Sequence, residues 1–188
     1  QMKMLKKMAA LLLAGVMAMA LLTACGDEAP SKSMADQAAD VAFGAMKQAT
    51  GIQVNDADLK KLAESKIDLI DKDGQYDFKN TIQYSDILKA AEDAVKAGKD
   101  SATIDLAMPV PQEKVEGAEM TNGKYPVWEV TADNLGALAE KTAKLNAILS
   151  KQMRGGKIEK VGVVSKTVNG KTYVAIGLKV TVPVTALN

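Results

Sequence analysis

The chain has no histidine and only one cysteine in 188 residues. Without an imidazole there is no histidine general base and no histidine metal ligand. One cysteine cannot close a disulfide within the chain. An excess of either charge is missing too. Lys and Arg number 24 against 23 Asp and Glu, a formal net charge of +1, which is too little for a basic nucleic-acid surface. No serine is followed by lysine three positions later, so the SxxK arrangement of Ser–Lys nucleophiles is absent. Aromatic residues make up only 4% of the chain, and there is a single long apolar run.

That run is Met8 to Leu22, 15 uncharged residues preceded by Lys3, Lys6 and Lys7. A spanning helix needs about 20 apolar residues. The run is short for a permanent span and fits the apolar region of a signal peptide. It ends in Leu22-Thr23-Ala24-Cys25-Gly26. The segment resembles the lipobox of bacterial prolipoproteins, which reads Leu, a small or polar residue, Ala or Gly, then Cys. The resemblance implies that residues 1–24 are a cleaved signal peptide. It also implies that the Cys25 sulfur carries a diacylglycerol and that Cys25 is the first mature residue. The only cysteine stands at the one position this chemistry needs. Each buried methylene contributes about 0.8 kcal/mol, and two acyl chains hold where one is marginal. The expected location is therefore the cell membrane, lipid-anchored and facing the extracytoplasmic side, with membrane lipid as a partner through Cys25.

Residues 25–188, 164 in all, suit one domain. Loss of Lys3, Lys6 and Lys7 moves the net charge from +1 to −2. Residues 25–33 read as the lipidated Cys and a short polar tether, and residues 34–188 as a single globular domain. The expected fold class is α+β, with about four helices on a small, mostly antiparallel sheet that ends in a long C-terminal β-hairpin.

The first helix is expected over Met34–Ala49, capped by Ser33 and stopped by Gly51. The second is expected over Asp56–Ile70, with Leu59, Leu62, Ala63, Ile67 and Ile70 as its buried stripe. The third is expected over Asp86–Ala97, capped by Ser85 and stopped by Gly98. In the fourth, Leu135, Leu138, Thr142, Leu145 and Leu149 recur every three to four residues, with Thr131 as cap and Gly155-Gly156 as stop. Ala102, Ile104, Leu106 and Met108 alternate as in a strand, which Pro109 and Pro111 should end.

Lys157 to Val184 is a stronger strand signal, broken by Asn169-Gly170, the pair that suits a two-residue type I′ turn. Such a turn sets Val168 against Lys171, Ser165 against Val174, Val163 against Ile176 and Val161 against Leu178. One face then holds Val161, Val163, Val174, Ile176, Leu178, Val180 and Val182. The other holds Lys160, Lys166, Tyr173, Lys179 and Thr181. Gly162 falls opposite Gly177 on this more polar face, a flat spot where a helix or a ligand could approach, with plain packing the ordinary outcome. A second hairpin is suggested around Asn122-Gly123, leading into a strand-like run from Tyr125 to Val130. The broken stretch Pro109–Thr121 reads equally as a long loop.

Asp71-Lys72-Asp73-Gly74 looks like half a calcium loop, but positions 1 and 12 of that pattern are Leu69 and Asn80. The two aspartates therefore read as helix-end and turn residues. No acidic residue is embedded in an apolar run, so a raised carboxyl pKa for acid–base work has no sequence signal. The candidate binding residues are Trp128, Tyr125 and Tyr173, as possible stacking surfaces, and Arg154, beside the glycine pair. The ordinary roles are core for a lone Trp and helix-end charge partner for Arg154.

One further similarity lies in residues 149–182. The helix end and IEKVGVVSKTVNGKTYVAIGLKV are similar to the closing region of bacterial CAP/SCP-like extracellular domains, and LKKLAESKIDLI is compatible with an earlier helix of theirs. The similarity implies an α/β sandwich. The CAP cleft contains histidine, so its chemistry does not carry over.

The expected function is a non-enzymatic envelope binding or interaction module. It would use no cofactor, metal or nucleic acid and would have an envelope protein or polymer as partner. The alternative is a histidine-independent, carboxylate-based enzyme acting on cell-envelope polymers, or a degenerate CAP-like domain. A two-lobed solute receptor would need a second domain.

Overall fold

Asn169 and Gly170 take φ of 52° and 78°, the left-handed pair that a type I′ turn demands. They appear in a computed structural model that describes residues 32–112, 123–152 and 156–186. From this turn β4 (Lys157–Val168) and β5 (Lys171–Pro183) run antiparallel. All four expected pairs, from Val168 with Lys171 to Val161 with Leu178, are in register. A bulge between Ile158 and Lys160 shifts the far end.

On the other side of β5 lies β2 (Ser101–Pro109), so the sheet order is β2-β5-β4. As the central strand, β5 is buried at every residue from Thr172 to Leu178. Pro109 does not stop β2 but is its last paired residue, opposite Ala175. The Val110 N–H donates to the Val174 carbonyl, so by alternation the position of Pro109 needs no N–H toward β5.

Four helices lie among the described residues. α1 (Met34–Thr50) begins where Ser33 Oγ accepts the Asp36 N–H, and it ends at Gly51 with φ 77°. It packs on β4, β5 and α4 (Leu135–Gln152). Ala38, Ala42 and Met46 are buried there in one cluster with Leu138 and Leu145. The link after α1 runs along the outer edge of β4. The Asn55 side chain donates to the Val163 carbonyl and accepts its N–H, and the Asp56 N–H donates to the Val161 carbonyl.

α2 (Ala57–Ile67) is capped by Asp56, whose carboxylate accepts the N–H groups of Asp58 and Leu59. It ends three residues sooner than the apolar stripe suggests, and Ile70 falls in the following turn, bonded to the Ile67 carbonyl. Lys160 pairs with Asp56, and Lys166 with Glu64 and Asp68, so α2 lies on the face of these lysines. Its backbone crosses the glycine pair. A Cβ on Gly162 would meet the Leu59 carbonyl carbon at 2.5 Å, and one on Gly177 would meet the Leu59 oxygen at 2.5 Å. The flat spot is thus filled by a helix, and this lysine-bearing face is buried at Tyr173 and Ala175 as well.

α3 (Tyr84–Lys96) starts two residues before the expected position. Gln83 precedes it without a side-chain cap bond, so Ser85 lies inside the helix rather than at its cap. Thr131 does not cap α4 either. A turn separates the two, in which Asn134 Oδ1 accepts the Thr131 N–H.

The second sheet differs most from expectation. β3 (Lys124–Pro126) pairs with β1 (Gln75–Asp77), about fifty positions earlier, and Tyr76 faces Tyr125. The stretch before Asn122-Gly123, residues 113–122, lies outside the described residues, as do residues 1–31, which include Cys25 and most of the expected tether, and Arg154. Of the run expected from Tyr125 to Val130, only Tyr125 and Pro126 lie in a strand, followed by single bridges at Val127 and Val130. Among the described residues no helix is long and apolar enough to cross a membrane.

Candidate functional site

The turn Asp71–Gly74 brings the first wall of a cleft into place. Asp71 Oδ1 accepts the N–H groups of Asp73 and Gln75, and Gly74 turns the chain at φ 73°. Lys124 reaches back to Asp71 at 2.9 Å. That bond, helped by the Gln75 N–H, holds the Asp71 carboxyl below its ordinary range. These oxygens are committed to the turn, as the turn reading of this segment requires. Among the described residues no three metal-ligating side chains gather.

The second wall continues β3. The Val127 N–H donates to the Gly74 carbonyl, the Trp128 N–H to the Val110 carbonyl and the Val130 N–H to the Thr172 carbonyl. These bonds sew residues 126–130 between the turn and the sheet. The start of β5 supplies Lys171 and Tyr173, and Gln112 and Asn134 complete a cleft of about 430 Å³.

Of the four residues singled out from sequence, two meet here. Trp128 and Tyr173 both line the cleft. Tyr125 does not line it but is buried in the core, donating from its hydroxyl to the Pro109 carbonyl at 2.9 Å. Burial pushes its phenol pKa well above the ordinary value. Arg154 is outside the described residues.

Trp128 is only half-buried, neither a full core residue nor a free platform. The Lys141 ammonium sits 4.1 Å from its ring centroid, a cation–π contact. Lys141 also donates to the Gln112 carbonyl. The Trp128 indole N–H is buried without a hydrogen-bond partner among the described residues. Tyr173 is 4% exposed, and its hydroxyl lies 3.6 Å from where a Cβ on Gly74 would stand. Burial raises its pKa, offset in part by the Lys171 charge.

The sequence assigns no binding role to the cleft residues Asp73, Gln75, Gln112, Glu129, Asn134 and Lys171. The DKDG turn was the only local signal among them. The two carboxylates that line the cleft are Asp73 and Glu129, and each has a lysine beside it. Glu129 binds Lys171 at 3.2 Å and Asp73 binds Lys72 at 3.0 Å. The Glu129 contact raises the Lys171 pKa. Asn134 is also committed, donating to the Glu129 carbonyl while it accepts from Thr131. What remains is an aromatic and amide-lined recess with balanced charge.

No protein-family model, curated protein or solved structure matches the chain.

Proposed function

We propose that this protein is a lipid-anchored extracytoplasmic binding module, held at the membrane by a diacylated Cys25 and presenting the Trp128–Tyr173 cleft to a ligand of the cell envelope. One observation carries the choice of binding over hydrolysis. Each carboxylate of the cleft, Asp73 and Glu129, is engaged by a lysine of its own. Glycoside or amide hydrolysis by carboxylates requires one of a pair to stand protonated beside the bond it cleaves. Binding requires only a shaped recess with a few placed polar groups.

The anchor and the module are tested separately. Replacement Cys25→Ala is expected to move the protein from the membrane pellet to the soluble extracytoplasmic fraction and to abolish incorporation of labelled palmitate. Retention in the pellet with an unmodified thiol in the parent protein would remove the lipoprotein reading. The Cys25→Ala protein is then sedimented with insoluble envelope polymer. Co-sedimentation without release of soluble fragments supports a binding module. Fragment release that disappears in Asp73→Asn or Glu129→Gln makes the protein a carboxylate hydrolase instead.

A further inference from the structure

We infer that the ligand of this cleft is a neutral sugar unit of the envelope, an inference that rests on the cleft being the binding surface. Charge is the first argument. The ammonium of Lys171 is taken by Glu129, and the carboxylate of Asp73 by Lys72. With these charges paired, the cleft offers neither an anionic nor a cationic ligand an excess of opposite charge.

Hydrogen-bonding capacity is the second. The side-chain amides of Gln75 and Gln112 and the hydroxyl of Tyr173 line the cleft and make no hydrogen bond among the described residues. Each amide offers donors and an acceptor on one rigid plane, and the phenol offers one of each. Neighbouring hydroxyls of a sugar both donate and accept, so they match this set without any net charge. Aromatic surface is the third argument. Trp128 forms part of the wall, and with its indole N–H buried and Lys141 over its ring it offers apolar area that the C–H face of a sugar ring can cover. The volume, about 430 Å³, is at the small end of the roughly 300–1,000 Å³ of small-molecule sites. It suits a short saccharide, not a folded partner.

Trp128 is the only tryptophan of the chain, so its emission reports on the cleft alone. The full-length protein in phosphatidylcholine liposomes is titrated with N,N′-diacetylchitobiose, maltose, glycylglycine and inorganic phosphate. A saturable emission change is expected with one or both saccharides and with neither of the other two. The double variant Gln75→Ala/Gln112→Ala should bind that saccharide about tenfold or more weakly, the effect of losing roughly two neutral hydrogen bonds. Lys89→Ala, on α3 away from the cleft, should leave binding unchanged.

A response to the dipeptide or phosphate but not to sugars overturns the sugar assignment and leaves the cleft as a binding site. Sugar binding that survives in the double variant places the sugar elsewhere and overturns it too. Silence with all four probes also overturns it, and co-sedimentation then decides the broader reading independently.

Discussion

Two tyrosines in contact show how differently one hydroxyl can weigh. Tyr76 and Tyr125 pack with ring centroids 5.5 Å apart, and both side chains are buried. The Tyr125 hydroxyl donates to Pro109, whereas the buried Tyr76 hydroxyl meets only the neighbouring Thr81 hydroxyl, and neither makes a well-formed hydrogen bond among the described residues. A made hydrogen bond contributes about 0.5–1.5 kcal/mol net, and an orphaned buried polar group costs about 1–3 kcal/mol. Tyr125→Phe should therefore destabilise the fold by about 1 kcal/mol. Tyr76→Phe, which removes a hydroxyl with only the poor Thr81 contact, should leave stability unchanged or raise it by up to about 1 kcal/mol. Urea unfolding of the two variants tests this. Equal losses would mean that the Tyr76 hydroxyl has a partner in solution.

At the scale of the element, two glycines obey opposite rules. Gly44 lies inside α1 with nothing within 4 Å of where its Cβ would be. Gly44→Ala should stabilise by about 0.5–1 kcal/mol through helix propensity alone. Gly162 lies under the backbone of α2, and an added Cβ would stand 2.5 Å from it. Gly162→Ala must push the helix off the sheet, at about 1–3 kcal/mol or more. Thermal melts of the pair should shift in opposite directions.

The glycine pairing itself was readable in the sequence, because the Asn169-Gly170 turn and two-residue alternation are local signals that fix the hairpin register. The α3 start was not, because Gln83 makes no cap bond. Nor was the β1–β3 pair. Three-residue strands carry too little pattern, and only the folded core brings Tyr76 to Tyr125. The cleft inherits this limit. Its aromatic residues stood out, but Gln75, Glu129 and Lys171 are ordinary polar residues until the turn, the β3 extension and β5 meet.

The whole molecule responds to pH through what it has and what it lacks. Asp56, Asp71 and Asp77 all have lowered pKa values. The leading causes are the Leu59 N–H, the Lys124 ammonium and the Lys79 ammonium, respectively. The unfolded chain takes up these protons first, at the ordinary value of 3.8. Stability from these groups is therefore complete above that pH and lost as the pH falls through the lower folded values. On the alkaline side, burial raises Tyr76 from 10.0 to about 12. Tyr125 is raised in the same direction for the same reason. Here the unfolded chain ionises first, so the contribution is complete below pH 10.0 and disappears as pH climbs toward about 12. Lys124, Lys160, Lys166 and Lys171, raised by their carboxylate partners, add to this limb.

Between the limbs the chain has no histidine to titrate. With Cys25 acylated as proposed, the urea midpoint should therefore stay nearly flat from about pH 5 to about pH 9, since the ordinary carboxylate range lies near pH 4 and the ordinary tyrosine and lysine ranges near pH 10. It should fall on both sides of that plateau. Salt should separate the two limbs. The aspartate–lysine pairs are exposed and screened within about 10 Å at 0.1 M, so added salt should shrink the acid loss. The buried phenols should respond far less. A midpoint that slopes through neutrality would mean that Lys66, whose pKa burial lowers, titrates within the plateau.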